Sequence, residues 1–306
     1  MDTSAGVLII TTLFAAFVNG ALGYGFSSLT VPIALLFYTS RVINPALVLI
    51  EIFINAYVLV INRQSIPEVW KRFYPIIISL LPGVAAGSYF LTSIQPSWAK
   101  FSTYAFLFPL ILIQAAGLRR PLRSEKSIGL PVGIGLGFLY SVTTISGPPI
   151  GVLLNNQGLT KRNFRAGLAL IRVVESVLTA IAYYHIGVFS RANFKIIAMI
   201  IPSMLVGIPL GGYCIRRIDA EAFRRICMSF DVLVVAFGLS RVLIELKIAQ
   251  GALAYIPVIL ALLADSCFLF SFFSTQRHAR DWNPAPTAPA QKNRLDGPFI
   301  TKFRKA

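Results

Sequence analysis

"FVNGALGYGFSSLTVP", residues 17–32, is the stretch on which the reading of this chain turns. Apolar sequence lies on both sides, as in a membrane segment. Yet its middle carries Asn19, Gly20, Gly23, Gly25, Ser27 and Ser28, and it closes on Pro32. Backbone that leaves the helix at membrane depth is tolerated only where it is buried in protein or lines a cavity. The stretch therefore predicts a broken membrane segment whose break faces the protein interior.

The rest of the composition fits a membrane setting. The chain has 306 residues, 56% apolar and 13% charged, whereas soluble domains carry about 25% charged residues. Apolar runs of about 20 residues recur along almost the whole length, which is the signature of membrane-crossing helices. The expected class is an all-α polytopic membrane protein. A net charge of +16 could indicate nucleic acid, but the basic residues sit in short loops between apolar runs. That distribution orients a membrane protein and builds no groove for a phosphate backbone. Cys214, Cys227 and Cys267 lack metal-ligand spacing and read as small packing residues. No metal and no cofactor is expected. Asp2 precedes the first apolar run without Lys or Arg, which predicts no cleaved signal and an N-terminus outside the cytoplasm.

Two halves of the chain resemble each other. "LLPGVAAGSYFLTSI" (80–94) aligns without a gap on "MLVGIPLGGYCIRRI" (204–218), so Gly83 meets Gly207, Gly87 meets Gly211 and Tyr89 meets Tyr213. "GYGFSSLTVP" (23–32) aligns on "TISGPPIGVL" (144–153), both being small and polar breaks in an apolar run. Internal repeats of this kind are the scaffold of many secondary transporters and also occur in channels.

Apolar runs 5–20 and 26–39 read either as one broken crossing or as a hairpin of two short arms. At about 15 residues, or about 22 Å, neither arm comfortably spans a core of about 30 Å. Loop charges separate the readings. With hairpins at 5–39 and 128–157, five Lys and Arg fall on one side and fourteen on the other; with single crossings the split is ten to nine. Cytoplasmic loops are enriched in Lys and Arg, so the hairpins are expected. Each half is then a short Gly-rich helical hairpin plus three transmembrane helices, and the second half is inverted relative to the first. The expected organisation is an N-terminal repeat over 1–122, a C-terminal repeat over 123–248, an extra transmembrane helix over 249–275, and a disordered basic cytoplasmic tail over 276–306.

Hairpin tips meeting near the midplane would give the opening stretch a purpose. The N–H groups and positive dipole end of a helix start favour an anion, and glycine permits close backbone approach. Asn19, Gly23, Gly25, Ser27, Ser28, Thr143, Thr144, Ser146 and Gly147 are the expected contacts. The plainer alternative is that these small residues serve close helix packing alone.

At these residues the sequence resembles the TauE/SafE family of membrane permeases, over roughly residues 6 to 245. The first family-like element stands as Gly23-Tyr24-Gly25-Phe26-Ser27 with Val31-Pro32, the second as Thr144-Ile145-Ser146-Gly147-Pro148. The glycines are thinned: Phe26 and Ser27 replace one pair, and Thr144 and Ser146 stand where the family usually has glycine. The resemblance implies export of sulfite, an organosulfonate or a related small anion.

Three charges interrupt the apolar runs at depth. Glu51 and Arg172 occupy equivalent repeat positions, and Glu175 follows Arg172 by one turn. An ionisable group at the bilayer centre costs roughly 2.5–3.5 kcal/mol on insertion scales and normally faces a partner or a wet cavity. Arg172 is the expected counter-charge of the anion, with Glu51 and Glu175 in coupling or gating; a purely structural pair of Arg172 with Glu51 or Glu175 is the alternative. Arg241, four residues before Glu245, is expected to snorkel and His185 to lie at the interface; Asn155 and Asn156 read equally as helix-ending residues or as ligand contacts, and Asp231 and Asp265 receive no role. No P-loop, nucleophile elbow or metalloenzyme spacing is present in the sequence. The chain is therefore expected to be a non-enzymatic secondary carrier in the plasma membrane, with a small anionic substrate and lipid as partners. A membrane-embedded enzyme, or an assembly or scaffold protein, is the competing class.

Overall fold

The structure is a computed structural model, described over residues 3–115, 125–155, 159–215, 217 and 220–281. Every regular element among them is helical. In chain order these are α1 (Thr3–Leu22), α2 (Phe26–Ala34), α3 (Ser40–Ile61), α4 (Ile66–Ser93), α5 (Pro96–Ala115), α6 (Glu125–Thr143), α7 (Gly147–Asn155), α8 (Lys161–Ile186), α9 (Arg191–Cys214), α10 (Ala220–Glu245) and α11 (Ile256–Asp281). Seven helical segments among the described residues are long and apolar enough to cross a membrane; they lie in α1, α3, α8, α9 and α10, and in α4 and α11 together with the short 3₁₀ turns that precede them. Residues 1–268 form one compact unit, and the architecture below is that unit's. Of the tail expected over 276–306, residues 276–281 continue α11 as helix, and the part beyond Asp281 lies outside the described residues, as does Asn156.

Charge and polarity are distributed inside out, as lipid requires. Ile10, Phe53, Ile78, Leu205 and Leu263 lie exposed on the flanks, while Glu51, Arg172, Glu175 and a run of Ser, Thr and Asn side chains are buried. In lipid the outer face needs no polarity, and polar groups are kept where other polar groups meet them.

The two breaks expected from the sequence are present, but their arms are unequal. α1 has 20 residues and is itself a candidate span, correcting the expectation of two arms too short to cross. α2 has only nine residues, or about 13 Å. The physical reason is where the backbone turns: Gly23 and Gly25 sit at φ 84° and 107°, conformations glycine adopts without penalty. They confine the break to residues 23–25, so α1 runs on to Leu22, past the end of its apolar run, while α2 starts at Phe26, where its own run starts, and stops early at Ala34. α6 and α7, with 19 and nine residues, repeat the pattern. There Thr144 takes the left-handed position at φ 57°, where the family-like element would have glycine.

Glycine decides how the helices stack. A Cβ on Gly83 of α4 would lie 2.1 Å from the Ile134 carbonyl oxygen of α6, and one on Gly137 of α6 would lie 2.4 Å from that of Leu80. Gly211 of α9 lies as tightly on Phe17 of α1, where a Cβ would stand 1.9 Å from the carbonyl oxygen. The register, Gly129 on Ile76 through Gly87 on Ser141, makes α4 and α6 parallel; Gly207 on Leu13 and Gly211 on Phe17 do the same for α1 and α9. These are small-residue interfaces of the kind that drives helix association in lipid. α3 packs on α8 and α5 on α10, completing the bundle around the short helices α2 and α7.

Candidate functional site

α2 and α7 start next to each other. A methyl on Gly147, the first residue of α7, would touch Tyr24 Cβ at 3.4 Å and approach Arg172 Cζ and Nη1 at 3.9 Å. Arg172, on α8, is only 1% exposed. Its Nη2 forms an ion pair with Glu51 Oε1 of α3 and lies 3.5 Å from Ser27 Oγ of α2. Ser27 itself donates to Glu51 Oε1, and Tyr140 of α6 donates to Glu51 Oε2 at 2.7 Å. Tyr140 and Ser176 hydroxyls are 2.7 Å apart, and Ser176 donates to the Arg172 carbonyl at 2.7 Å. One carboxylate thus ties together α2, α3, α6 and α8.

The pair is incomplete in a specific way. Arg172 Nε and Nη1 are buried without a hydrogen-bond partner, and so is Glu175 Oε1. Buried guanidinium donors are ordinarily satisfied, since leaving them bare forfeits their hydration. Glu175 turns away from Arg172 and accepts from Ser146, at the start of α7; of the two partners open to Arg172 in the sequence, the distant Glu51 is the one it bonds.

Several expected contacts are brought to this point and several are not. Ser27, Ser146, Gly147, Arg172, Glu51 and Glu175 converge. Gly25 caps α2, and its carbonyl accepts from Leu29 N at 3.2 Å and from Ser28 Oγ at 3.1 Å. Asn19 lies in the last turn of α1, with Nδ2 buried and unpartnered and its carbonyl accepting from Gly23 N at 2.6 Å. Gly23 faces Arg165, 3.9 Å from its Nε to a built Cβ, and not Arg172. The Thr143 hydroxyl is spent on the Leu139 carbonyl at 2.7 Å and the Thr144 hydroxyl on that of Thr143 at 2.7 Å, closing their own tip.

The two helix starts also differ as anion sites. The first N–H groups of a helix lack intrahelical partners, so α2 offers those of Phe26, Ser27 and Ser28. α7 begins Gly147-Pro148-Pro149, and proline has no N–H, leaving that of Gly147 alone before Ile150 N bonds back to Ser146 O at 3.0 Å. The dipole of α7 remains, but most of its donors are gone.

Tyr140 and Ser176 were missed in the sequence. Ser176 sits four residues after Arg172 on the same helical face, a spacing that could have flagged it; Tyr140, inside an apolar run, carried no signal. The remaining polar positions lie elsewhere: Arg241 and His185 are exposed, Ser97 of α5 donates to Glu245 at 2.5 Å, and Ser229 donates to Asp265 of α11 at 2.8 Å. All three cysteines are free thiols. No group of metal-ligating side chains is found among the described residues.

Seven long apolar helices packed around a buried ion pair at the junction of two helix breaks make this a multi-pass membrane protein. The chain matches the model of the sulfite exporter TauE/SafE family over residues 8–238. It belongs to that family. No curated protein and no solved structure matches it.

Proposed function

We propose that the chain is a secondary carrier that exports a small anion, of the sulfite or organosulfonate class, across the plasma membrane. The observation that carries this reading is the pair of unpartnered donors, Arg172 Nε and Nη1, buried beside Gly147 where α7 starts. The anion takes those donors together with the N–H groups of Gly147 and of the α2 start, with Ser27, Ser28 and Ser146 at the margin. Charge-assisted bonds to a guanidinium suit a planar or tetrahedral oxyanion. Asn19, Gly23, Gly25, Thr143 and Thr144 shape the tips behind these donors. Glu51 acts as the gate: its carboxylate holds Ser27, Tyr140 and Arg172 much as a substrate oxyanion would, so substrate entering there loosens four helices at once. Glu175 couples the same event to the α7 tip through Ser146.

In this reading residues 1–122 and 123–248 are inverted repeats, with residues 249–275 an added span and the remainder a cytoplasmic tail. Matched packing supports it. Gly83 meets Ile134 and Phe138, while Gly207 meets Leu13 and Phe17, each pair the repeat equivalent of the other. Asn193, at the start of α9, donates to Val42 O at the start of α3 at 2.6 Å. Since α9 runs parallel to α1, both α1 and α3 start at one end of the bundle, as hairpins demand. With the basic loops cytoplasmic, the N-terminus is outside. The membrane potential, negative inside, drives anions out by about 2.3 kcal/mol per charge per 100 mV, so export needs no obligatory coupling.

The test is flux in proteoliposomes, preceded by a thermal-stability screen over sulfite, sulfate, thiosulfate, organosulfonates and carboxylates. Stabilisation by an oxyanion together with its flux is the expected result. No stabilisation and no flux for any of them overturns the reading.

A further inference from the structure

The two tips differ in how they meet their surroundings. Gly23, at the first tip, is half-buried, and Arg165, in the second turn of α8, is exposed. A Cβ built on Gly23 stands 3.9 Å from Arg165 Nε and 4.0 Å from its Cγ. Shifted by the 121 residues that separate Glu51 from Arg172, the counterparts of Gly23 and Arg165 are Thr144, at the second tip, and Asn44 of α3. Both are 0% exposed, and Asn44 Nδ2 donates to the Val142 carbonyl at 2.7 Å. The first tip thus opens onto a cation, while the second is sealed beside a neutral amide.

Arg165 stands in line with Arg172. Seven residues, close to two turns, separate them, so both lie on one face of α8, about 10 Å apart along its axis. The first tip bridges the interval. Gly23 lies at Arg165, and the next residue, Tyr24, lies at Gly147, whose built Cβ also approaches Arg172. Arg165 is in no ion pair among the described residues; Glu51 is taken by Arg172, and Glu175 is held by Ser146. The helix itself begins Lys161-Arg162-Asn163-Phe164-Arg165, with no acid in its first turn. Cations at a helix start oppose the dipole, so this run does not serve the helix; it leaves that end positive toward solution.

We propose that Arg165 is the entry residue of the carrier: it draws the substrate oxyanion from the cytoplasmic solution onto the first tip, from which the anion passes to Arg172. The proposal rests on the anion-site reading above. A guanidinium offers an oxyanion two parallel donors, but in water such a pair is weak, so Arg165 receives the anion without retaining it. Arg172, out of water, binds it more strongly. An exposed charge raises the local concentration of its counter-ion, and salt screens that effect. Arg165 therefore acts on arrival, and so on KM, and not on the crossing itself.

The test uses the full-length protein in membrane vesicles of both orientations, with sulfite and ethanesulfonate as probes, at low and high potassium gluconate. With the cytoplasmic face outward, Arg165→Gln should raise KM about tenfold with kcat kept, and flatten the dependence of KM on salt. Arg165→Lys keeps the charge and should stay close to wild type. Should Arg165→Gln fail to fold, the wild type decides: KM should climb with salt when the anion enters from the cytoplasmic face and stay flat when it enters from the other. An unchanged KM in folded Arg165→Gln, a fall in kcat with KM intact, or wild-type salt dependence equal on both faces would each overturn the entry role and leave the carrier standing. Absence of flux in both orientations overturns the carrier reading and the entry role with it.

Discussion

Glu51 and Arg172 stand 121 residues apart and form an ion pair at the centre of the bundle, each buried to within 1%. The same interval separates Gly23 from Thr144, the left-handed residues that end α1 and α6, whose N–H groups bond Asn19 O and Tyr140 O at 2.6 Å each. Where one half of the chain carries an acid, the other carries its base. The pair therefore serves as a clasp between α3 and α8 and as the charged part of the candidate site, and the two roles separate by mutation.

Arg172→Gln leaves Glu51 buried without a cation, a change that costs about 3–5 kcal/mol. The expected result is a large fall in thermal stability together with lost anion binding. The double variant Glu51→Gln/Arg172→Gln removes both charges and should recover most of the stability without recovering binding. Melting temperatures in detergent, with and without sulfite, check both halves. Arg241→Gln, at an exposed position, should change neither.

Gly147→Val and Ser146→Val should abolish flux in protein that still inserts and runs as a single species on size exclusion. Valine at 147 fills the gap between Tyr24 and Arg172 Nη1; at 146 it removes the hydroxyl held by Glu175. Gly25→Val is less informative, because Gly25 at φ 107° puts a backbone cost of roughly 1–2 kcal/mol on any side chain. Normal flux in the first two would leave the tips as packing elements.

The glycines of α6 should divide sharply although they share one helix. A Cβ on Gly133 or Gly137 meets the carbonyl oxygens of Ile76 or Leu80 at 2.4 Å, whereas one on Gly135 meets nothing within 4 Å. Gly135→Ala should stabilise by up to about 1 kcal/mol through helix propensity. Gly137→Ala must push α4 and α6 apart and should lower folded yield steeply. Fluorescence-detected size exclusion after graded heating reads the difference.

In a background without Cys214, Cys227 and Cys267, a single cysteine beside Arg191 should react with an impermeant thiol reagent on intact cells, and one beside Arg217 should not. That outcome follows from hairpins and the fourteen-to-five distribution of loop charge. Labelling in the reverse pattern would turn the protein over in the membrane, and labelling at both sites would end the hairpin reading.

The sequence alone determined class and breaks, because each is local. Hydropathy over about 20 residues specifies a span, and the Gly-Ser clusters at 23–28 and 144–147 mark where a helix cannot run on. Glu51 and Arg172 were legible as charges at depth, and their equivalence followed from counting. Tertiary structure decided what those residues touch. Which carboxylate pairs with Arg172 depended on α3 lying against α8, and nothing local favours Glu51 over Glu175, one turn away. Tyr140 entered the site because the tight glycine seam of α6 on α4 fixes where the end of α6 lies. The threonines of the second tip left it because their hydroxyls find backbone carbonyls closer at hand. Helix ends moved from their expected positions because a left-handed glycine, and not the last apolar residue, terminates α1. Periodicity and composition report how one segment meets its solvent; the partners of a buried polar group are set by which segments meet each other, and that information is spread over residues more than a hundred positions apart.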